Sequence, residues 1–139
     1  MNKVTNCILL ILLGIIVLAI LASTLFMIYP IKVVEFQDDV FPVVEDTVQA
    51  GDYIHYQIRG IKYMPLPGTI SKTLINHQIY SFPSQIGNTN TGLVDVQAIF
   101  KIPDNAGEGV YVLRTTYSYK LWFRQFNYVK DTEPFEVIK

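Results

Sequence analysis

Hydrophobic and polar positions alternate along most of the chain that follows residue 31. In the stretch "DYIHYQIRG", Ile54, Tyr56 and Ile58 fall on one face of an extended strand, and polar residues occupy the other face. The stretch "LVDVQAIFKIP" has the same period. Its predicted inward positions are Val94, Val96, Ala98, Phe100 and Ile102. Because residues 31–139 show this period and no sustained helical period, the pattern predicts an all-β domain of antiparallel strands.

The longest alternating run is "GVYVLRTTYSYKLW", which covers residues 109–122. One face of this run is mainly aromatic and aliphatic, while the other becomes progressively polar. The first face comprises Tyr111, Leu113, Thr115, Tyr117, Tyr119 and Leu121. Two interpretations are open: a strand whose tyrosines turn into the core, or an exposed aromatic platform that binds a ligand. The regular alternation favours the core strand.

Turns rich in glycine and proline separate the alternating runs into about seven predicted strands. The turn segments are "QAGD", "MPLPG", "FPSQIGNTNTG" and "PDNAGEG". The predicted strands lie near residues 31–37, 42–49, 52–63, 69–80, 93–102, 109–121 and 125–138. Pro42 and Pro134 cannot donate a backbone hydrogen bond, so we expect both at strand starts or sheet edges. This number of short strands in roughly 105 residues predicts a two-sheet antiparallel sandwich of the immunoglobulin-like class.

The N-terminal part of the chain has a different pattern, with no charged residue between Lys3 and Lys32. Residues 8–29 read "ILLILLGIIVLAILASTLFMIY". As a helix, this apolar run would be about 33 Å long, enough to cross the hydrocarbon core of a lipid bilayer. The chain therefore divides into a short tail with a transmembrane α-helical anchor, residues 1–30, and a β domain, residues 31–139.

A cleaved signal peptide is the alternative to an anchor. Its apolar region would be shorter and would end in an A-x-A-like site, whereas Ala19 and Ala22 are separated by two residues instead of one and apolar residues continue beyond them. The positive-inside rule barely discriminates, since one lysine lies on each side of the run. A short tail before the helix and a large domain after it predict a signal-anchor, with a cytoplasmic N-terminus and an extracytoplasmic β domain.

The composition contains no recognisable catalytic set. The 139 residues carry 11 basic and 12 acidic side chains, a net charge of −1, which argues against nucleic-acid binding. Cys7 is the only cysteine, so an intramolecular disulfide is impossible, and no nucleophile-elbow, P-loop or dinucleotide-binding motif occurs. His55 and His77 each stand alone in a strand-like segment. We therefore expect no metal site, no cofactor and no enzymatic activity.

Acidic residues crowd the first part of the β domain. A calcium site at Asp38 and Asp39 with Asp46 or Asp52 is an alternative interpretation, because Ca²⁺ prefers several oxygen ligands. The spacing matches no known calcium loop. Solvated loops, with some cross-strand pairing to basic residues, are the default expectation.

Two of the predicted loops contain several large apolar residues. The candidate partner-binding residues are Met64 and Leu66 in "YMPLPG", and Trp122, Phe123, Arg124 and Phe126 in "LWFRQF". Loops at the ends of sandwiches commonly carry recognition, and Trp and Arg are enriched at binding hot spots. The alternative is that Trp122 and Phe126 close the end of the core or touch the membrane interface.

The segment "DNAGEGVYVL" resembles the Asp…Gly-x-Tyr approach to strand F of immunoglobulin-like domains. This resemblance implies that Tyr111 is a corner tyrosine, whose hydroxyl bonds to the chain upstream. Leu113 stands where an antibody domain has its second cysteine.

The whole chain is similar to small single-pass membrane proteins encoded by tailed bacteriophages. The similarity lies in the anchor followed by "YPIKVVEF", in "FPVVEDTVQAGDYIHYQI" and in "IPDNAGEGVYVLRTTYSYKLWFRQFNYVKDTEPFEV". It implies one bilayer anchor, residues 8–29, with one immunoglobulin-like domain. We therefore predict a binding or structural module that acts by contact with an unidentified protein partner at the membrane or envelope. The alternative is an assembly or metal-handling factor of a bacterial envelope.

Overall fold

The computed structural model describes residues 2–139 and divides the chain into two compact units, with the boundary between Ile31 and Lys32. The sequence placed this boundary one residue earlier. The first unit contains a single helix, and the second contains all the strands.

Helix α1, Lys3–Ile28, is apolar on every side, and none of its residues is buried. It is long and apolar enough to span a membrane, with a mean hydropathy of 3.1 over its most apolar 18 residues, although an N-terminal signal sequence meets the same criterion. The helix ends because Pro30 disfavours helical backbone at the residue before it. Tyr29 is accordingly extended, with φ −60° and ψ 128°.

The second unit consists of ten short strands. They are β1 Val34–Phe36, β2 Thr47–Gln49, β3 Tyr53–Lys62, β4 Gly68–Ile75, β5 Ile79–Ser81, β6 Gln85–Ile86, β7 Gly92–Lys101, β8 Gly109–Leu121, β9 Arg124–Asp131 and β10 Phe135–Ile138. One sheet has the order β1-β3-β7. The other has the order β2-β10-β8-β4-β5, with β6 added to β4 and β9 added to β8. All pairings are antiparallel except that of β2 with β10, which is parallel.

The two sheets share one hydrophobic core. Side chains from opposite sheets meet directly: the ring centroids of Phe36 on β1 and Tyr117 on β8 are 4.9 Å apart. Strand β8 confirms the prediction of a core strand, because its first five inward positions are all buried. These are Tyr111, Leu113, Thr115, Tyr117 and Tyr119. On the facing sheet, Ile54 and Tyr56 are fully buried, as the alternation of β3 predicted.

The hydrogen bond expected of Tyr111 is present. Tyr111 is 2 % exposed, and its Oη donates a hydrogen bond to the carbonyl oxygen of Gly107 at 3.0 Å. The hydroxyl thus ties the start of β8 to the connection that precedes it, as the sequence predicted.

Several predicted strands are shorter or broken. The run 69–80 is interrupted at residues 76–78, so His77 lies in an exposed turn and not within a strand. The run 125–138 is interrupted before Pro134, which has no backbone N–H to contribute to the ladder. The region predicted as 42–49 forms only β2, because the segment before it crosses between the sheets: Phe41 bridges to Thr132 in one sheet and Val43 to Tyr56 in the other.

The inward face of β7 is less covered than the alternation predicted. Phe100 and Ile102 are buried, but Val94 and Ala98 are half-buried and Val96 is 49 % exposed. The side chains do face inward. They remain accessible because they line an inter-sheet cavity, and the short strand β6 leaves this side of the domain open.

Candidate functional site

Trp122 and Phe123 form the two-residue turn between β8 and β9. Leu121 and Arg124 are paired across the two strands, so only two residues connect them. Trp122 has a left-handed backbone, with φ 54°, a conformation that such turns usually give to glycine or asparagine. Trp122 is 75 % exposed and Phe123 is 60 % exposed. A tryptophan therefore occupies a backbone position that costs an ordinary residue about 1 kcal/mol.

The residues after the turn connect it to the core. The guanidinium carbon of Arg124 lies 4.8 Å from the ring centroid of Phe126, a distance at which cation and ring attract. Phe126 is half-buried and packs against the core, opposite Tyr119. Phe126 thus packs at the end of the core, which was one of the roles considered for it. We call Trp122, Phe123 and Arg124 the aromatic tip.

The loop between β3 and β4 lies at the same end of the domain as the aromatic tip. Gly68, the first residue of β4, pairs with Tyr119, two residues before the end of β8. A glycine is needed there, because a Cβ on residue 68 would lie 2.5 Å from a carbon of the Tyr119 ring. Met64 and Leu66 are half-buried and pack against the core. The two predicted segments are therefore brought to one end of the domain, with the tip as its more exposed part.

Some of the charged residues form ion pairs between different segments of the chain. Arg59 donates two hydrogen bonds to the carboxylate of Asp38, at 3.0 and 2.9 Å. His55 Nδ1 lies 2.6 Å from Glu45 Oε1, and the backbone N–H of His55 donates to the same carboxylate. Burial opposes ionisation of Glu45, but the hydrogen bonds from His55 hold its pKa below the ordinary value.

Among residues 2–139, no three His, Cys, Asp or Glu side chains are grouped closely enough to hold a metal ion. Asp38, one of the acidic residues considered for calcium, is instead paired with Arg59. The described part of the chain therefore contains no candidate metal site for the metal-handling alternative.

Two inward-facing lysines, Lys62 and Lys72, were not among the candidate site residues predicted from the sequence. Lys62 continues the inward series of Ile54, Tyr56 and Ile58 on β3, at every second position. Lys72 lies on the inward face of β4, two residues from the buried Leu74. Alternation alone could have identified both residues, since a lysine at an inward-facing position of a strand is unusual. The sequence did not show that both residues line one cavity.

No protein-family model and no curated protein matches the chain. Several solved structures resemble it weakly, among them the following three. The alkylpurine DNA glycosylase AlkC of Pseudomonas fluorescens, bound to DNA with an abasic site analog, aligns over 85% of this chain and 34% of its own, with 11% identity and a TM-score of 0.46. A family 123 glycoside hydrolase of Clostridium perfringens aligns over 67% of this chain and 23% of its own, with 18% identity and a TM-score of 0.40.

The third structure is a CARDB domain from Pyrococcus furiosus in complex with di-metal ions. It aligns over 78% of this chain and 95% of its own, with 14% identity and a TM-score of 0.41. This chain thus spans about a third of the glycosylase chain and less than a quarter of the hydrolase chain. None of these likenesses is close enough to carry an argument about this protein, and the similarity to bacteriophage proteins stays a sequence-based prediction.

Proposed function

We propose that this protein is a membrane-anchored immunoglobulin-like module that binds a protein partner through its aromatic tip. The main support is Trp122, whose side chain is exposed and whose backbone has a left-handed conformation. Large aromatic side chains at a loop are costly to leave in water, and tryptophan and arginine are the residue types that most often dominate binding energy at protein interfaces.

The strand order supports the immunoglobulin-like part of the proposal. Strands β1, β3 and β7 correspond to A, B and E of such a sandwich, and β4, β8 and β9–β10 correspond to C, F and G. The first strand is divided between the two sheets by the crossing at Phe41 and Val43. Tyr111 supplies the corner hydrogen bond at the start of the strand that corresponds to F.

The composition of α1 supports the anchor. A helix that is apolar on all sides belongs either in a protein core or in a bilayer, and no residue of α1 is buried in the described chain. Its two hydroxyl side chains also fit an apolar environment. Ser23 and Thr24 donate to the carbonyl oxygens of Ala19 and Ile20, each at 2.8 Å, so both hydroxyl protons are satisfied within the helix.

Site-specific photo-crosslinking in the native cell tests the proposed contact. A photoreactive amino acid at position 123 of the full chain should yield a discrete adduct with one protein. The same amino acid at Tyr53, which is 54 % exposed at the start of β3 and away from the turn, should not. The purified adduct partner should bind the Trp122→Ala chain about 30-fold more weakly, which corresponds to about 2 kcal/mol.

Two outcomes would contradict the proposal. Crosslinking of position 123 to lipid would assign the tip to the membrane interface. Equal affinities of the wild-type and Trp122→Ala chains for the crosslinked partner would remove the tip from the interface. Because Trp122 is the only tryptophan, its emission in the unbound protein also reports directly whether the tip is accessible to a neutral quencher.

A further inference from the structure

An apolar cavity opens between the two sheets, separate from the aromatic tip. Its volume is about 270 Å³. One wall consists of inward-facing residues of β3 and β7, including Ile58, Val94 and Val96, and the other includes Ile70 and Tyr117. Among the described residues, β7 pairs only with β3, so its other edge is not covered by a strand.

Lys62 places an ammonium group in this cavity. The residue is only 6 % exposed, and burial lowers the pKa of its amine. Its Nζ donates to the carbonyl oxygen of Asn88 and lies 5.4 Å from the ring centroid of Tyr119. Within residues 2–139, no carboxylate forms an ion pair with it. A buried charge with only neutral partners is costly, and an anion would lower that cost.

Lys72 supplies a second cation to the same cavity from the opposite sheet. Its Nζ lies 5.7 Å from the ring centroids of both Tyr56 and Phe100. It also forms no ion pair with a carboxylate of the described chain. Tyr56 lines the cavity as well, is fully buried, and has a hydroxyl group without a hydrogen-bond partner.

We propose that this inter-sheet cavity binds an amphipathic carboxylate, with the apolar part of the ligand between the sheets and the carboxylate against the ammonium group of Lys62. The walls provide contacts for a hydrocarbon or aromatic body, and the two lysines provide the only charges among the cavity-lining residues. An apolar pocket with a few convergent polar groups is the usual form of a small-molecule site.

The cavity volume sets the size of the ligand. It is nearly twice the volume of about 150 Å³ of an engineered cavity that binds benzene, so a ligand of about ten non-hydrogen atoms would fit. Octanoate has this size and the required chemistry. Octan-1-ol has nearly the same shape and no charge, which makes it the matched neutral probe.

The test measures binding of octanoate to the full chain in nanodiscs, with empty nanodiscs as the blank. The variants Lys62→Met and Lys72→Met keep most of the unbranched stem of each side chain and remove its charge. Lys62→Met should weaken octanoate binding by at least tenfold and leave octan-1-ol binding within about twofold. Lys72→Met should weaken octanoate binding less, because the Lys72 ammonium lies over the rings of Tyr56 and Phe100. Lys120→Met, at an exposed position of β8, is the control and should bind octanoate as the wild type does.

A measurement on the unaltered protein guards against a variant that fails to fold. The NMR signal of the side-chain carbon next to the Lys62 amine should titrate at higher pH when octanoate is present, because a carboxylate favours the charged amine. Octan-1-ol should not produce this shift.

The proposal is overturned if octanoate does not bind, or if octan-1-ol binds as tightly as octanoate. It is also overturned if Lys62→Met and Lys120→Met have the same affinity for octanoate. An affinity for octanoate that neither lysine variant changes would indicate a neutral occupant, such as an apolar peptide strand along the edge of β7. None of these results depends on the partner of the aromatic tip.

Discussion

Asp131 and Arg114 form a bidentate ion pair between β9 and β8. Arg114 Nε and Nη2 donate to the two carboxylate oxygens at 2.8 and 2.9 Å. The hydrogen bonds from Arg114 are the main reason that the pKa of Asp131 lies below its ordinary value, and partial burial opposes them. The pair therefore stabilises the folded domain when Asp131 is ionised.

Replacing Asp131 with Asn should lower the free energy of unfolding at pH 7 by about 0.2–1 kcal/mol, the range for partly exposed ion pairs. The folded pKa is depressed, so this contribution is complete above the unfolded pKa of about 4 and disappears as the pH falls through the folded pKa. Denaturant unfolding of the two proteins at several pH values measures the difference. Glu108→Gln, at an exposed residue without an ion pair in the described chain, is the control. A difference that persists unchanged at pH 2 would contradict this account.

Individual residues were predictable where the reason for their position is local. The inward position of Leu113 follows from alternation, and the role of Tyr111 from the turn sequence before it. The cavity position of Lys62 was not predictable in the same way. Alternation gives the side of the sheet on which a residue lies, but the partners of a side chain there come from distant segments, here Asn88 and Tyr119.

At the level of elements, the break between β9 and β10 depends on Thr132. Its Oγ1 accepts a hydrogen bond from the backbone N–H of Leu113 at 3.0 Å, and its own N–H donates to the carbonyl oxygen of Leu113 at 3.0 Å. The threonine side chain therefore replaces a backbone acceptor where the ladder is interrupted. Thr132 is 2 % exposed, so water cannot take over this role.

Thr132→Val should destabilise the domain by about 1–3 kcal/mol, because it leaves the buried N–H of Leu113 without an acceptor while it preserves the side-chain shape. Thr69→Val, at an exposed position of β4, should change the stability by less than about 0.5 kcal/mol. Urea unfolding followed by circular dichroism compares the two variants. Similar small effects at both positions would show that the hydroxyl of Thr132 does not support the break.

The sequence predicted long strands better than their interruptions. Strand β8 follows from thirteen residues of regular alternation. The break at Thr132 depends on contacts with Leu113 and Phe41, which are distant in the sequence, and the crossing at Phe41 and Val43 depends on both sheets being in place. Local periodicity contains no information about such contacts, so these elements were predicted as continuous.

For the whole molecule, the decisive question is whether α1 is retained. We expect the full chain to fractionate with membranes and to keep residues 1–30, because the apolar run is long enough to remain as an anchor. N-terminal sequencing of the membrane-bound protein tests this directly. A mature N-terminus immediately after Ala19 or Ala22 would instead identify a cleaved signal sequence.

A charged substitution provides a second test of the anchor. Ile16→Arg, near the middle of α1, should make insertion less favourable by about 3–4 kcal/mol and reduce the fraction of the protein in the membrane. Asn6→Arg, near the start of the helix, should have little effect because the side chain can reach the interface. Equal membrane fractions for both variants would contradict a transmembrane position of Ile16.

The parallel pairing of β2 with β10 also determines how the domain responds to mechanical load. The pair is extended at one end by a hydrogen bond from the Glu136 N–H to the Asp46 carbonyl, and at the other by one from the Ala50 N–H to the Ile138 carbonyl. A force that pulls on the chain before β2 and after β10 would slide the two strands along each other. Such shear strains the hydrogen bonds between them together, whereas peeling a strand away would break them one after another.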